Sequence, residues 1–410
     1  MQESAHRRQT PEGMRMNQFI RQLTGVRFIA AAWVVLYHFQ AALGKSGLLV
    51  PGLHDVLRVG RLGVDLFFCL SGFILTHTYL NKLGPKFSIR GSLHFYGLRL
   101  ARVYPVHFVM LNIAGVVTLS YSIIGGKGGA LPGWFNVGDY FKQVFLVQEW
   151  AAHPTRGWNF TAWSLSMEWL AYLLFPVLVI VLFRLGKRAA TKWLVLLWIV
   201  AISPVVLFGI LHRGDAYYID NFGSTLRILT EFTTGSITYL IVRRLAPDER
   251  GPKRRVERLA TTLSVVLPVA VLGFSFVLNH VPTLQWSDPN FPPRMHLALA
   301  PLLAMWIGAL ALSRHGLAKW LASDRLVLGG FISFSLYMTH IVLLQVFNVV
   351  TGKIHITHGP IFAVLTVLAI ASSVPVAWLM WRFVEEPSRE RIRDLLGDPP
   401  KPLGDAVPSH

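Results

Sequence analysis

Arg27 and His38 stand with ten residues between them in an apolar stretch, LTGVRFIAAAWVVLYHFQ, that runs from Leu23 to Gln40. Eleven helical steps at about 100° each make three turns plus roughly 20°, which puts both side chains on one face, about 16 Å apart along the axis. That face offers a fixed cation and, further along, a ring nitrogen that can take and return a proton near neutral pH. Ionisable groups inside a membrane span usually face the bundle interior or a water-filled cavity, so this face is expected to line one. The alternative for Arg27 is a juxtamembrane anchor that snorkels to headgroups, and for His38 a hydrogen-bonding role against a neighbouring helix.

Four further groups of residues carry candidate chemistry. Asp65 opens the second apolar stretch, GVDLFFCLSGFILTHTYL, at the same end as His38. A carboxylate there can hold an imidazole in one tautomer, or cap the positive end of its own helix; the sequence leaves both open. Arg99 and Arg102 are three apart in FYGLRLARVYP and share a helix face. Two guanidiniums suit a phosphorylated ligand, or grip lipid phosphates as an anchor. Glu168 is the only carboxylate in WNFTAWSLSMEWLAYLLFP, with Ser164 one turn before it and Trp163 close by. It is either a reacting group or a structural partner for a buried Arg or His. Tyr337 and His340 lie three apart on one face of SFSLYMTHIVLLQ. Ser71 is a poor nucleophile, because it lacks GxSxG surroundings.

The elements that must position these residues are membrane helices. The chain of 410 residues is 53% hydrophobic and 15% charged, with a mean hydropathy of +0.48. Apolar stretches long enough to cross about 30 Å of hydrocarbon recur from end to end, which gives an all-α polytopic membrane protein. Ten spans are expected, at 24–43, 62–80, 103–124, 162–183, 193–211, 225–242, 260–279, 296–313, 327–350 and 360–381. The net charge of +18 reads as topology. Of the 39 Lys and Arg residues, 28 fall on one side of these spans and nine on the other, with Arg27 and Arg227 inside them. The positive-inside rule then places both termini in the cytoplasm and leaves nucleic acid without a role. Residues 1–18 read as a basic cytoplasmic tail, 19–387 as the membrane domain, and 388–410 as a short cytoplasmic tail. The first apolar run is too long for a cleavable signal, so the first helix is expected in the mature protein. With Cys69 as the single cysteine, an intrachain disulfide and a cysteine-based metal site are excluded, and no metal is expected. The longest outer segment, Ile124 to Phe160, is rich in glycine and tryptophan and reads as a loop whose aromatics seat a sugar or form an interfacial belt.

Taken together, the Arg27–ten residues–His38 pattern, GVDLFFCLSGFIL, the Arg99/Arg102 pair and WSLSMEW resemble the acyltransferase 3 family of bacterial integral-membrane O-acyltransferases, over Leu23 to Pro387. The ninth span departs from the family's pattern. Thr339 stands where a tryptophan is common before the histidine, and Val342 where a proline is common after it. The resemblance implies a multi-pass protein of the bacterial plasma (inner) membrane that transfers an acyl group, usually acetyl, from acyl-CoA. The acceptor would be a hydroxyl on a carbohydrate, a glycolipid or another envelope-associated or secondary-metabolite molecule. In that reading Arg27, Arg99 and Arg102 hold the coenzyme A donor and His38 acts as general base with Asp65 and Glu168. Trp163, Ser164, Tyr337 and His340 are the candidates to bind substrate. A transporter or flippase of a polar envelope intermediate, with the same charges lining its path, is the alternative; such folds often carry inverted repeats, and none is evident here.

Overall fold

In hydrocarbon every backbone N–H and C=O must bond within its own segment or close a barrel, and the apolar stretches of this chain do so as helices. A computed structural model of the chain describes residues 18–124, 133, 135–150, 157–212, 221–246, 252–280 and 294–397. In chain order the helices are α1 (Gln18–Lys45), α2 (Pro51–Arg58), α3 (Leu62–Leu83), α4 (Ile89–Ile124), α5 (Val137–Val144), α6 (Ala162–Arg188) and α7 (Thr191–Leu211). There follow α8 (Asn221–Leu245), α9 (Arg254–His280), α10 (Ala300–Leu312), α11 (Leu317–Leu321), α12 (Asp324–Lys353), α13 (Gly359–Met380) and α14 (Glu386–Leu396). A 3₁₀ turn, Arg294–Leu299, leads into α10, and a π turn, Trp381–Glu385, joins α13 to α14. No strand occurs among the described residues.

Among those residues nine helical segments are long and apolar enough to span a membrane. The tenth expected span, α8, is absent from that set because it carries Arg227, Glu231 and a series of Ser and Thr residues. Its 25 residues reach about 37 Å, long enough to cross. It packs against α3, α6, α7 and α10, so neighbouring helices, not lipid, surround its polar face.

Two expectations are corrected by the helix boundaries. The arginine pair was expected on a connection before the third span; α4 instead runs unbroken from Ile89 to Ile124, with Arg99 and Arg102 on the same helix as that span. The outer segments also hold helices: Pro51 starts α2, and Asn136 caps α5 by accepting from the Asp139 N–H at 2.9 Å. The glycines at 125, 126, 128 and 129, Trp134 and most of both terminal tails lie outside the described residues.

Two helix pairs form the frame of the site, α1 with α12 and α3 with α8. Small residues let their backbones meet, since packing, not a hydrophobic driving force, associates helices in lipid. A Cβ at Gly72 would lie 1.9 Å from the Phe232 carbonyl oxygen, and one at Gly235 2.0 Å from that of Cys69. The same occurs where Gly330 of α12 meets Thr24 of α1, at 2.0 Å. Large apolar side chains of α3, α4, α6, α8 and α12 close the main core around these contacts, among them Phe68, Phe95, Phe175 and Phe232.

Candidate active site

A cavity of about 90 Å³ opens between α1, α3, α4, α6 and α12. Arg27, Arg99 and Arg102 line it together with Ser71, Glu168 and Tyr172, and Ser164, Ser333 and Tyr337 complete its polar wall. The three expected donor-binding residues thus meet in one space although they come from two helices. The Arg99 guanidinium carbon sits 5.7 Å from the Tyr79 ring centre and 5.9 Å from that of Phe95, so aromatic faces hold its stem in place. Glu168 Oε1 accepts two hydroxyls, from Ser71 Oγ at 2.7 Å and from Tyr172 OH at 2.5 Å.

Glu385 joins this cluster, and the sequence reading missed it. Its carboxylate is 3% exposed, accepts from Ser335 Oγ at 2.7 Å, and interacts electrostatically with Arg27, Arg102 and Arg389. The residue lies in the π turn beyond the last apolar run, so hydropathy placed it at the cytoplasmic end of the helix. The Glu-Glu-Pro sequence there was the only signal, and a π turn has no residue signature to read.

His38 lies at the far end of α1 and pairs with His340 of α12. Nδ1 of His38 is 2.9 Å from the Val34 carbonyl oxygen and 3.1 Å from His340 Nε2. Nδ1 of His340 is 3.2 Å from the Leu336 carbonyl oxygen. Tyr37 and Phe160 pack edge-on to the His38 ring, with centroids at 4.9 and 6.2 Å. The link to the cavity is Tyr337: it lines the cavity, its hydroxyl meets Ser164 Oγ at 2.8 Å, and its ring centre is 5.8 Å from that of His340.

Three expectations change at this point. Asp65 does not orient His38: its Oδ1 takes both Nε and Nη2 of Arg227, at 3.1 and 2.8 Å, and all three members of the Asp65–Arg227–Glu231 group are fully buried. A guanidinium fork outcompetes a neutral imidazole for a buried carboxylate, because only the cation cancels its charge. Asp65 still sits in the first turn of α3, where the helix dipole favours it. Trp163 does not line the cavity but packs against Phe68, which does, with the Arg227 guanidinium 5.3 Å over its ring. His340 is likewise turned from the cavity; both of its ring nitrogens are engaged and it is fully buried.

Residues 20–382 match the sequence profile of the acyltransferase domain known as acyltransferase 3. The chain belongs to the acyltransferase 3 family. It is 33% identical over 158 residues, 38% of each chain, to the acyltransferase MdmB of Streptomyces mycarofaciens. It is 26% identical to a putative O-acetyltransferase of Staphylococcus aureus (strain COL), covering 91% of this chain and 58% of that one. It is also 24% identical to the O-acetyltransferase OatA of Staphylococcus aureus, covering 93% of this chain and 59% of the relative. The chain therefore spans 38% to 59% of the length of these curated relatives. No solved structure matches it.

Proposed function

We propose that this multi-pass membrane protein is an O-acyltransferase that moves an acyl group, most simply acetyl, from acyl-CoA to a hydroxyl of a carbohydrate, glycolipid or other envelope-associated or secondary-metabolite acceptor. Membership of the family and the names of its relatives support transfer to oxygen. The observation that carries the donor assignment is the convergence of Arg27, Arg99 and Arg102 on one cavity. Guanidiniums pair phosphate oxygens bidentately, and a donor with a diphosphate and a ribose phosphate is a polyanion of the matching sign. The excess of Lys and Arg on the side that bears Arg99 and Arg102 supports a cytoplasmic mouth, both termini in the cytoplasm, and residence in the bacterial inner membrane.

The pantetheine arm would run along the cavity from the arginines towards Ser164 and Tyr337, next to the His340–His38 pair. His38 Nε2 takes the proton of the acceptor hydroxyl as its oxygen attacks the thioester carbonyl. The tetrahedral oxyanion collapses, the carbon–sulfur bond breaks, and the leaving thiolate takes a proton back from His38. The ester and free coenzyme A result, with atoms and charge in balance and no covalent enzyme intermediate. Tyr337 and Ser164, whose hydroxyls meet in the cavity wall, would turn a hydrogen from the Thr161 carbonyl to the oxyanion.

The test is transfer of labelled acetyl from acetyl-CoA in membrane vesicles of cells that make the protein, compared with vesicles that lack it. A protein-dependent, alkali-labile ester together with an equal yield of free thiol is expected. Thiol release without any ester, or no label transfer at all, overturns the reading; a transporter gives neither product.

A further inference from the structure

We infer that His340 is a positioning residue for His38: it fixes the tautomer and the ring plane of the proposed base, in the place that a carboxylate takes in other hydroxyl-activating sites. The inference rests on the reading of His38 as base and assigns His340 a part in it that substrate contact would not.

The argument is one of donors and acceptors. A carbonyl oxygen only accepts, so His38 Nδ1, 2.9 Å from the Val34 oxygen, carries a hydrogen. The same reasoning, applied separately, puts a hydrogen on His340 Nδ1, 3.2 Å from the Leu336 oxygen. A neutral His340 with its hydrogen on Nδ1 has a bare Nε2. That nitrogen is the one 3.1 Å from His38 Nδ1, so it accepts the bond that His38 must donate. The two requirements, set by carbonyls on different helices, agree on a single arrangement. His38 Nδ1–H is shared between Val34 and His340, and His38 Nε2 is left bare, which is the form a general base needs. The opposite tautomers would keep the contact between the rings but turn two lone pairs onto carbonyl oxygens.

Chemistry and burial fit the same assignment. As His38 takes a proton at Nε2, the hydrogen on Nδ1 becomes a stronger donor and His340 Nε2 meets it. A neutral acceptor does this without placing a second charge in the membrane interior, where an anion would lose its hydration. Asp65, the carboxylate that opens α3 at this end of the bundle, is already committed to Arg227. His340 is fully buried, and the rings, tilted by 52° at 4.9 Å between centroids, are not stacked face to face.

The proposal is tested by solid-state NMR of histidine nitrogens in reconstituted protein at mildly alkaline pH, with the His38 signal assigned by its loss in His38→Ala, and by acetyl transfer from acetyl-CoA in membrane vesicles. In the wild type His38 is expected as the Nδ1–H tautomer. His340→Leu leaves the Val34 carbonyl as the remaining acceptor at His38 Nδ1, so the Nε2–H fraction of His38 should rise above that of the wild type and kcat should fall about 10- to 100-fold, the range for removing a group that orients a ligating or reacting histidine, with the donor KM nearly unchanged. His340→Gln, whose amide oxygen can accept in place of Nε2, should recover most of the rate. A wild-type His38 in the Nε2–H form, full kcat in His340→Leu, or a His340→Gln variant as slow as His340→Leu overturns the proposal. Continued turnover in His38→Ala would overturn the base assignment instead, and the tautomer measurement distinguishes the two failures.

Discussion

Asp65 and Arg227 face each other across the α3–α8 contact, with two guanidinium nitrogens on one carboxylate oxygen at 3.1 and 2.8 Å and no exposure of either side chain. The pair lies about two turns along the same helix contact from Gly72 and Gly235, which bring the two backbones together. Removing one partner leaves the other short of its counter-charge in a dry interior, at a cost of about 3–5 kcal/mol, whereas removing both leaves Glu231 as the remaining acid of the group, which can be buried protonated. Arg227→Met and Asp65→Asn are expected to lower the thermal midpoint of the purified protein sharply. The double variant should regain part of the loss, and a double variant as unstable as the sum of the singles would show that the pair is not coupled.

His38→Ala removes the proposed base and little else, because the ring's polar partners are a backbone carbonyl already used in the helix and a second imidazole. Turnover should fall about 10²- to 10⁴-fold, the usual share of a general base, while membrane insertion and melting stay close to wild type. Labelled-acetyl transfer in vesicles with matched protein levels measures it. Turnover within a few-fold of wild type excludes the assignment.

Arg99 and Arg102 make a different kind of contribution, since the proposed contact is to the unreacting end of the donor. Losing a charge-assisted bond of about 1.5–3 kcal/mol should raise the donor KM by roughly ten-fold or more for Arg99→Gln or Arg102→Gln, with kcat little affected. The effect should shrink as salt is raised, because screening weakens the wild-type contact. Binding of acetyl-CoA, measured by calorimetry on the purified protein, that is equal in the wild type and both variants would return the pair to the role of a lipid anchor.

The helical framework and the cavity arginines were legible in the sequence because they rest on local rules. A run of apolar residues is a span, and residues three apart on a helix share a face, so Arg99 and Arg102 converge as expected. What could not be read was pairing between helices. Asp65 and His38 lie at the same end of adjacent spans, yet the carboxylate goes to Arg227, which is 162 residues away in sequence. His38 instead meets His340, 302 residues away, across the α1–α12 packing. Glu385 was hidden for another reason: the π turn that carries it interrupts the helix period on which the sequence reading depends.

Glu168 separates a structural carboxylate from a reacting one, the choice its sequence leaves open. One oxygen, Oε1, already takes the hydroxyls of Ser71 and Tyr172, and the group also stands in the electrostatic field of Arg27. Glu168→Gln keeps an oxygen for both hydroxyls and removes only the charge. If Glu168 is a counter-charge, the cavity then becomes more positive, so the donor KM should fall a few-fold and kcat should hold. Glu168→Ala leaves both hydroxyls without their acceptor, at about 1–3 kcal/mol for each buried group, so stability should drop where Glu168→Gln left it intact. If Glu168 carries a proton in the reaction, the pattern reverses: Glu168→Gln folds as well as the wild type and binds acetyl-CoA, but transfers no acetyl. Melting, donor affinity and acetyl transfer on the two variants decide between these outcomes, and the paired hydroxyls on Oε1 favour the counter-charge.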